Sequence, residues 1–123
     1  MQDFEIHRVI VADDDPEYLG WLRSLLNNSD DFQVVGEANN GAEVINLVSS
    51  LTPDLVITDL YMPDPDGVAV TRHIHERCPS TRAILISAHE GRIYGELATK
   101  EGALAFIPKR KLSLGILRQA LQT

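Results

Sequence analysis

Four short apolar runs in this chain end on a charged or hydroxyl group. Val9-Ile10-Val11-Ala12 leads into Asp13-Asp14-Asp15, and Leu55-Val56-Ile57 into Thr58-Asp59. Ile84-Leu85-Ile86 leads into Ser87, and Phe106-Ile107-Pro108 into Lys109. Apolar runs with little alternation are the mark of strands buried on both faces, as in a parallel sheet. In such sheets ligands bind beyond the carboxyl ends of the strands, which is where these polar groups fall.

Between the runs the apolar spacing switches to a helical period. Tyr18, Leu22, Leu25 and Leu26 predict a helix over 16–28, with Pro16 tolerated in its first turn. The full pattern predicts strands over 5–12, 32–38, 54–59, 82–87 and 103–107. It predicts helices over 16–28, 41–51, 68–78, 93–101 and 112–122. Asn39-Asn40-Gly41, Pro53 and the loop Met62-Pro63-Asp64-Pro65-Asp66-Gly67 punctuate them. Strict alternation of strand and helix with short connections implies an α/β fold, a parallel sheet with helices on both faces.

Composition narrows the class. At 123 residues the chain fits one domain, and no internal repeat or linker divides it. Residues 1–123 are therefore expected to be a single domain, standing alone or continuing into another one. No apolar run reaches the ~18–20 residues of a membrane span, and Met1-Gln2-Asp3-Phe4-Glu5 has no secretory pattern. A net charge of −7 argues against direct binding of nucleic acid. The single cysteine, Cys78, cannot form an internal disulfide, in keeping with a cytoplasmic protein. It reads as a spectator thiol. His7, His73 and His75 lack metal-ligand spacing.

Carboxylates, a hydroxyl and a lysine at one sheet edge suit a hard cation and a phosphoryl group. Three carboxylates buried together without a cation would be costly, and at least one pKa should rise. Asp15, just before Pro16, reads instead as a helix N-cap, and Asp66-Gly67 as a turn into the third helix. Asp54 and Asp64 read as structural.

The blocks also resemble a known family, the receiver domain of bacterial two-component response regulators, in its LuxR/NarL-type branch. The resemblance covers essentially the whole chain. It is carried by Val11-Ala12-Asp13-Asp14-Asp15-Pro16, Val34-Val35-Gly36-Glu37-Ala38 and Pro53-Asp54-Leu55-Val56-Ile57-Thr58-Asp59-Leu60-Tyr61-Met62-Pro63. Asp66-Gly67, Gly102-Ala103 and Phe106-Ile107-Pro108-Lys109 complete it. The resemblance implies a flavodoxin-like (βα)5 sandwich with strand order 2-1-3-4-5. It implies an aspartate phosphorylated by a sensor histidine kinase or histidine phosphotransfer protein, with Mg²⁺ or Mn²⁺ as cofactor.

By position Asp59 is then the phosphoacceptor. Asp14, Asp59 and the Tyr61 main-chain carbonyl would hold the metal, with Asp13 acting through a water. Ser87, the Ala88 N–H and Lys109 would contact the phosphoryl group, and Phe106 would be the switch aromatic that turns inward behind Ser87. Tyr61 and His89, two residues beyond Asp59 and Ser87, would tune the lifetime of the acyl phosphate. Homodimerisation on phosphorylation and control of a DNA-binding output domain are further expectations. Ala105 stands where Gly is frequent, and Trp21 where a small residue is common.

Other functions remain open on the residues alone. A metal-dependent phosphatase of the haloacid dehalogenase type would want a second aspartate at position 61, where Tyr stands, and a cap domain. A docking domain that never sees phosphate would have no need of the acidic set. A dinucleotide-binding domain would need a glycine-rich first turn in place of Asp13-Asp14-Asp15.

Overall fold

Consecutive residues of the central strands enter opposite cores. We describe residues 6–89 and 91–122 in a computed structural model. The elements run β1 (His7–Ala12), α1 (Pro16–Asn27), β2 (Phe32–Ala38), α2 (Gly41–Leu51), β3 (Leu55–Asp59), α3 (Gly67–Arg77), β4 (Arg82–Ser87), α4 (Arg92–Lys100), β5 (Ala105–Pro108), a single 3₁₀ turn (Lys109–Lys111) and α5 (Leu114–Leu121). All strand pairs are parallel, in the order β2-β1-β3-β4-β5. This is the flavodoxin-like arrangement.

Because strand side chains alternate with period two, Val9, Val11, Leu55, Ile57, Ile84 and Ile86 face one side. There they pack with Leu22 and Leu26 of α1 and Leu117 of α5. Ile10, Ala12 and Val56 face the other side, against Val44 and Val48 of α2 and Val70 and Ile74 of α3. A third, smaller cluster joins Leu60, Leu85 and Ala98 of α4, with Tyr94 and Phe106 packed on it. The central strand β3 is buried at all five positions, so its last residue is held at a fixed point of the rim.

Side-chain caps set the starts of α1, α2 and α3. Asp15 accepts the Glu17 N–H at 3.0 Å, Asn40 accepts that of Glu43 at 2.9 Å, and Asp66 accepts that of Ala69 at 2.9 Å. The N-cap expected at Asp15 is thus present, and Asp66, expected in a turn, is the N-cap of α3, whose first residue is Gly67. Asp54 accepts the Arg8 N–H at 2.8 Å, a structural role that places it just ahead of β3.

The ends of the chain differ from the sequence-based boundaries. Residue 5, the expected start of the first strand, lies outside the described residues, as does the segment read for a secretory signal. The fifth strand begins at Ala105 and not at 103, because Gly102 takes φ +91° and the chain turns there before joining β4. The last helix begins at Leu114 and not at 112. Ser113 caps it by accepting the Ile116 N–H at 3.1 Å, while Lys109–Lys111 form the 3₁₀ turn. A Ser two residues into an expected helix was the available signal for this later start. No helix among the described residues is long and apolar enough to cross a membrane.

Candidate functional site

The rim beyond β1, β3 and β5 brings Asp13, Asp14, Asp59 and Lys109 together. One carboxylate oxygen from each of the three aspartates lies within 4.8 Å of the others. Lys109 reaches in from the end of β5, its Nζ 2.6 Å from Asp13 Oδ2 and 3.2 Å from Asp59 Oδ2. Asp13 is 1% exposed and Asp59 7%, whereas Asp14 faces solvent.

The backbone fixes these groups. Asp13 Oδ1 accepts the Asp15 N–H at 2.9 Å, and the Asp13 N–H donates to the Ala38 carbonyl at 3.1 Å. Asp59 Oδ1 accepts the Tyr61 N–H at 3.3 Å. Behind Asp59, Gly67 opens α3 so closely that a Cβ there would overlap the Asp59 carbonyl oxygen. The Gly67 N–H donates to the Leu60 carbonyl at 3.0 Å, tying the end of β3 to the helix.

Charge is poorly balanced within this cluster. Burial first, and the Asp13 carboxylate second, push the Asp59 pKa up; Lys109 and the Tyr61 N–H only partly offset them. This is the rise expected of crowded carboxylates. Burial works against the Lys109 charge, but its bond to Asp13 and the two carboxylates outweigh it, so its pKa is raised. One ammonium thus faces two buried carboxylates and a third at the surface. Asp13 Oδ2 is buried and, apart from the Lys109 contact, has no well-directed hydrogen bond. A donor set made only of carboxylate oxygens, short of positive charge and open at Asp14, fits a hard divalent cation.

Ser87 is fully buried at the end of β4, next to the register pair of Asp59 with Ile86. Its Oγ accepts the His89 N–H at 3.0 Å, so its own proton is available to donate elsewhere. Ala88 and His89 are exposed beyond it. Tyr61 is 52% exposed at the mouth of the site and meets the His89 ring edge-on, with centroids 5.6 Å apart. Phe106 is half-buried and stacks on Tyr94 of α4 at 5.8 Å.

Two residues at the site carry no mark of it in the sequence. Tyr18 follows the apolar spacing of α1 and reads as a core residue, yet Lys109 Nζ sits 4.4 Å above its ring. Its hydroxyl is buried without a partner. Burial, then Asp13 and Asp59, push the Tyr18 pKa far up, so it stays a neutral phenol. Tyr94 lies in a stretch with weak periodicity, and nothing local announces its contacts. Cys78 is the half-buried C-cap of α3, and Trp21 is 46% exposed, its ring 5.3 Å from Tyr18.

Known proteins with this arrangement point the same way. The family described as response regulator receiver domain matches residues 9–122. The signal receiver domain of the response regulator NarL from Mycobacterium tuberculosis superimposes with a TM-score of 0.88 at 32% identity, covering 97% of this chain and 99% of that one. The receiver domain of CheB from Thermotoga maritima gives a TM-score of 0.79 at 30% identity, covering 96% and 90%. In sequence, a protein-glutamate methylesterase/protein-glutamine glutaminase of Pseudomonas fluorescens is 38% identical over 104 residues, 83% of this chain and 28% of that protein. The chain spans between about a fifth and three tenths of the methylesterase relatives it matches, and 53% of the transcriptional regulatory protein NarL.

Proposed function

Since the chain belongs to the response regulator receiver family, we propose that it is a phosphorylation-controlled switch whose acceptor is Asp59. The observation that carries this reading is the convergence of Asp13, Asp14, Asp59 and Lys109 on one rim. A carboxylate oxygen of Asp59 attacks the phosphorus of a phosphohistidine on a sensor kinase or phosphotransfer protein. The new O–P bond forms as the P–N bond breaks, and the electron pair leaves with the imidazole. Asp59 then carries an acyl phosphate.

The obstacle is repulsion between anions, so catalysis consists of neutralising charge and holding geometry. Lys109 already lies 3.2 Å from Asp59 and can pass from the carboxylates to the phosphoryl oxygens. Ser87 donates its free proton, and the Ala88 N–H adds a backbone donor. Mg²⁺, or Mn²⁺, would be held by the Asp14 and Asp59 carboxylates and the Tyr61 carbonyl, with Asp13 acting through a water. When bound it supplies positive charge to the incoming phosphoryl group. Tyr61 and His89 flank the opening and tune the lifetime of the acyl phosphate. The chain is then a phosphoacceptor that resets slowly, and not a turnover enzyme.

Phosphorylation adds a charge of about −1.5 to −2 at neutral pH. Movement of Ser87 toward it frees the space into which Phe106 turns, changing the α4–β5 surface. An output domain, or a second copy of the chain, would read that surface in the cytoplasm. A DNA-binding output is favoured by the NarL likeness, at a TM-score of 0.88 against 0.79 for CheB. Regulation of a methylesterase is the second reading, favoured by the identity to the methylesterase relatives.

Incubation with Mg²⁺ and acetyl phosphate should give one phosphoryl adduct that is absent from Asp59→Asn and from chelator-treated protein. Equal labelling of Asp59→Asn would reject Asp59 as the acceptor. Full partner binding by unlabelled Asp59→Asn would favour a phosphate-independent docking domain.

A further inference from the structure

Four aromatic rings from four separate segments form a continuous line from the acceptor to β5. His89 meets Tyr61 edge-on at 5.6 Å, Tyr61 meets Tyr94 edge-on at 6.4 Å, and Tyr94 stacks on Phe106 at 5.8 Å with an 18° tilt. Only the middle link is also polar, since the Tyr61 and Tyr94 hydroxyls are 3.3 Å apart. Tyr61 is two residues from Asp59, projects 52% into solvent and is half of the opening described above. A side chain that exposed would ordinarily sample several rotamers. Here it is held by a bond to Tyr94 of α4.

Tyr94 is suited to hold it. Its ring is half-buried, packed on the cluster of Leu60, Leu85 and Ala98, and Phe106 lies against its face. The same residue therefore touches the side chain beside the reacting carboxylate through its hydroxyl and the switch aromatic through its ring. Among the described residues, no other aromatic ring pairs with both.

We infer that Tyr94 is a positioning residue that links the two halves of the switch: its hydroxyl keeps Tyr61 over the opening beside Asp59, and its ring keeps Phe106 in the stacked arrangement. Departure of Phe106 from the stack releases Tyr94, and with it the restraint on Tyr61. Acyl-phosphate lifetime and output conformation are then set by one side chain and change together. This rests on the receiver reading, because without an acyl phosphate there is no lifetime to set.

The two functions of Tyr94 separate by substitution. Tyr94→Phe keeps the ring and removes the hydroxyl, Tyr61→Phe removes the same bond from its other end, and the double variant removes nothing more. Each is labelled with acetyl phosphate and Mg²⁺, and decay of the adduct is followed after the donor is removed. Both single variants should lose the phosphoryl group about twofold faster or more, as loss of a modest hydrogen bond implies. The double variant should match them and not multiply their effects. In protein carrying 4-fluorophenylalanine, the Phe106 resonance should keep its position in Tyr94→Phe and move in Tyr94→Leu. An unchanged or longer lifetime in Tyr94→Phe, multiplying effects in the double variant, or an unmoved Phe106 signal in Tyr94→Leu overturns the inference. If the unsubstituted chain labels normally, those results count against Tyr94 alone. If it takes up no phosphoryl group, the receiver reading falls and this inference falls with it.

Discussion

The Lys109 ammonium is held more closely by Asp13, at 2.6 Å, than by Asp59, the proposed acceptor, at 3.2 Å. Asp13 has a fully buried side chain, and without Lys109 its charge would be left with little compensation. Removing one partner of a buried pair is more harmful than removing both. In metal-free buffer Lys109→Ala should therefore lower unfolding free energy by about 3 kcal/mol, the low end for breaking a buried pair because the lysine side chain is partly exposed. Asp13→Asn/Lys109→Ala should regain part of it. Urea unfolding checks this, and a double variant less stable than Lys109→Ala would show that Asp13 does not depend on the ammonium.

Tyr18 supplies the floor beneath the same ammonium, with Lys109 Nζ 4.4 Å from its ring centroid. Its ring and its hydroxyl have opposite consequences, because the hydroxyl is buried without a partner. Tyr18→Phe should keep the seat for Lys109 and match or exceed the parent in stability, by up to about 1 kcal/mol. Tyr18→Leu removes the cation–π contact, worth about 0.5–2 kcal/mol, and should slow phosphoryl uptake as Lys109 loses its position. Urea midpoints together with acetyl phosphate labelling rates distinguish the two. Equal labelling rates in all three proteins would contradict the seating role.

Gly67 bears on Asp59 through the backbone. A methyl group at Gly67 would occupy the space of the Asp59 carbonyl oxygen, so Gly67→Ala must move either the end of β3 or the start of α3. Overpacking of this kind costs about 1–3 kcal/mol. Labelling of Gly67→Ala should slow even where the protein is fully folded by circular dichroism. Unaltered stability and labelling would show that the contact relaxes freely.

Metal binding should appear as stability. A ligand bound only by the folded chain, at ten times its dissociation constant, adds about 1.4 kcal/mol. Rising Mg²⁺ should raise the thermal midpoint of the parent. Asp14→Ala should lose most of the rise while starting from a similar midpoint, since Asp14 is exposed. The same rise in both proteins would place the cation elsewhere.

How much of this was legible in sequence follows from what each residue has to do. The unbroken apolar runs Val9–Ala12 and Leu55–Ile57 must fill two cores at once, so their pattern announces a buried parallel strand and the polar group at its end. Asp13, Asp14, Asp59 and Lys109 could thus be gathered in advance. The start of α5 was less legible because Leu112 is buried like a helix residue though it precedes the cap at Ser113. Tyr18 was hidden by its own amphipathic character: its ring satisfies the apolar spacing of α1 while also lying under Lys109. Tyr94 depends on contacts with residues 33 and 12 positions away in sequence, which no local pattern records.

The claim that Asp59 forms the acyl phosphate is tested most directly by trapping. Protein treated with acetyl phosphate and Mg²⁺, then reduced with borohydride and digested, should show the aspartate at position 59 converted to homoserine. The conversion should be absent when the donor is omitted. Homoserine at position 13 or 14, or no reduced residue despite a phosphoryl mass gain, would contradict the account.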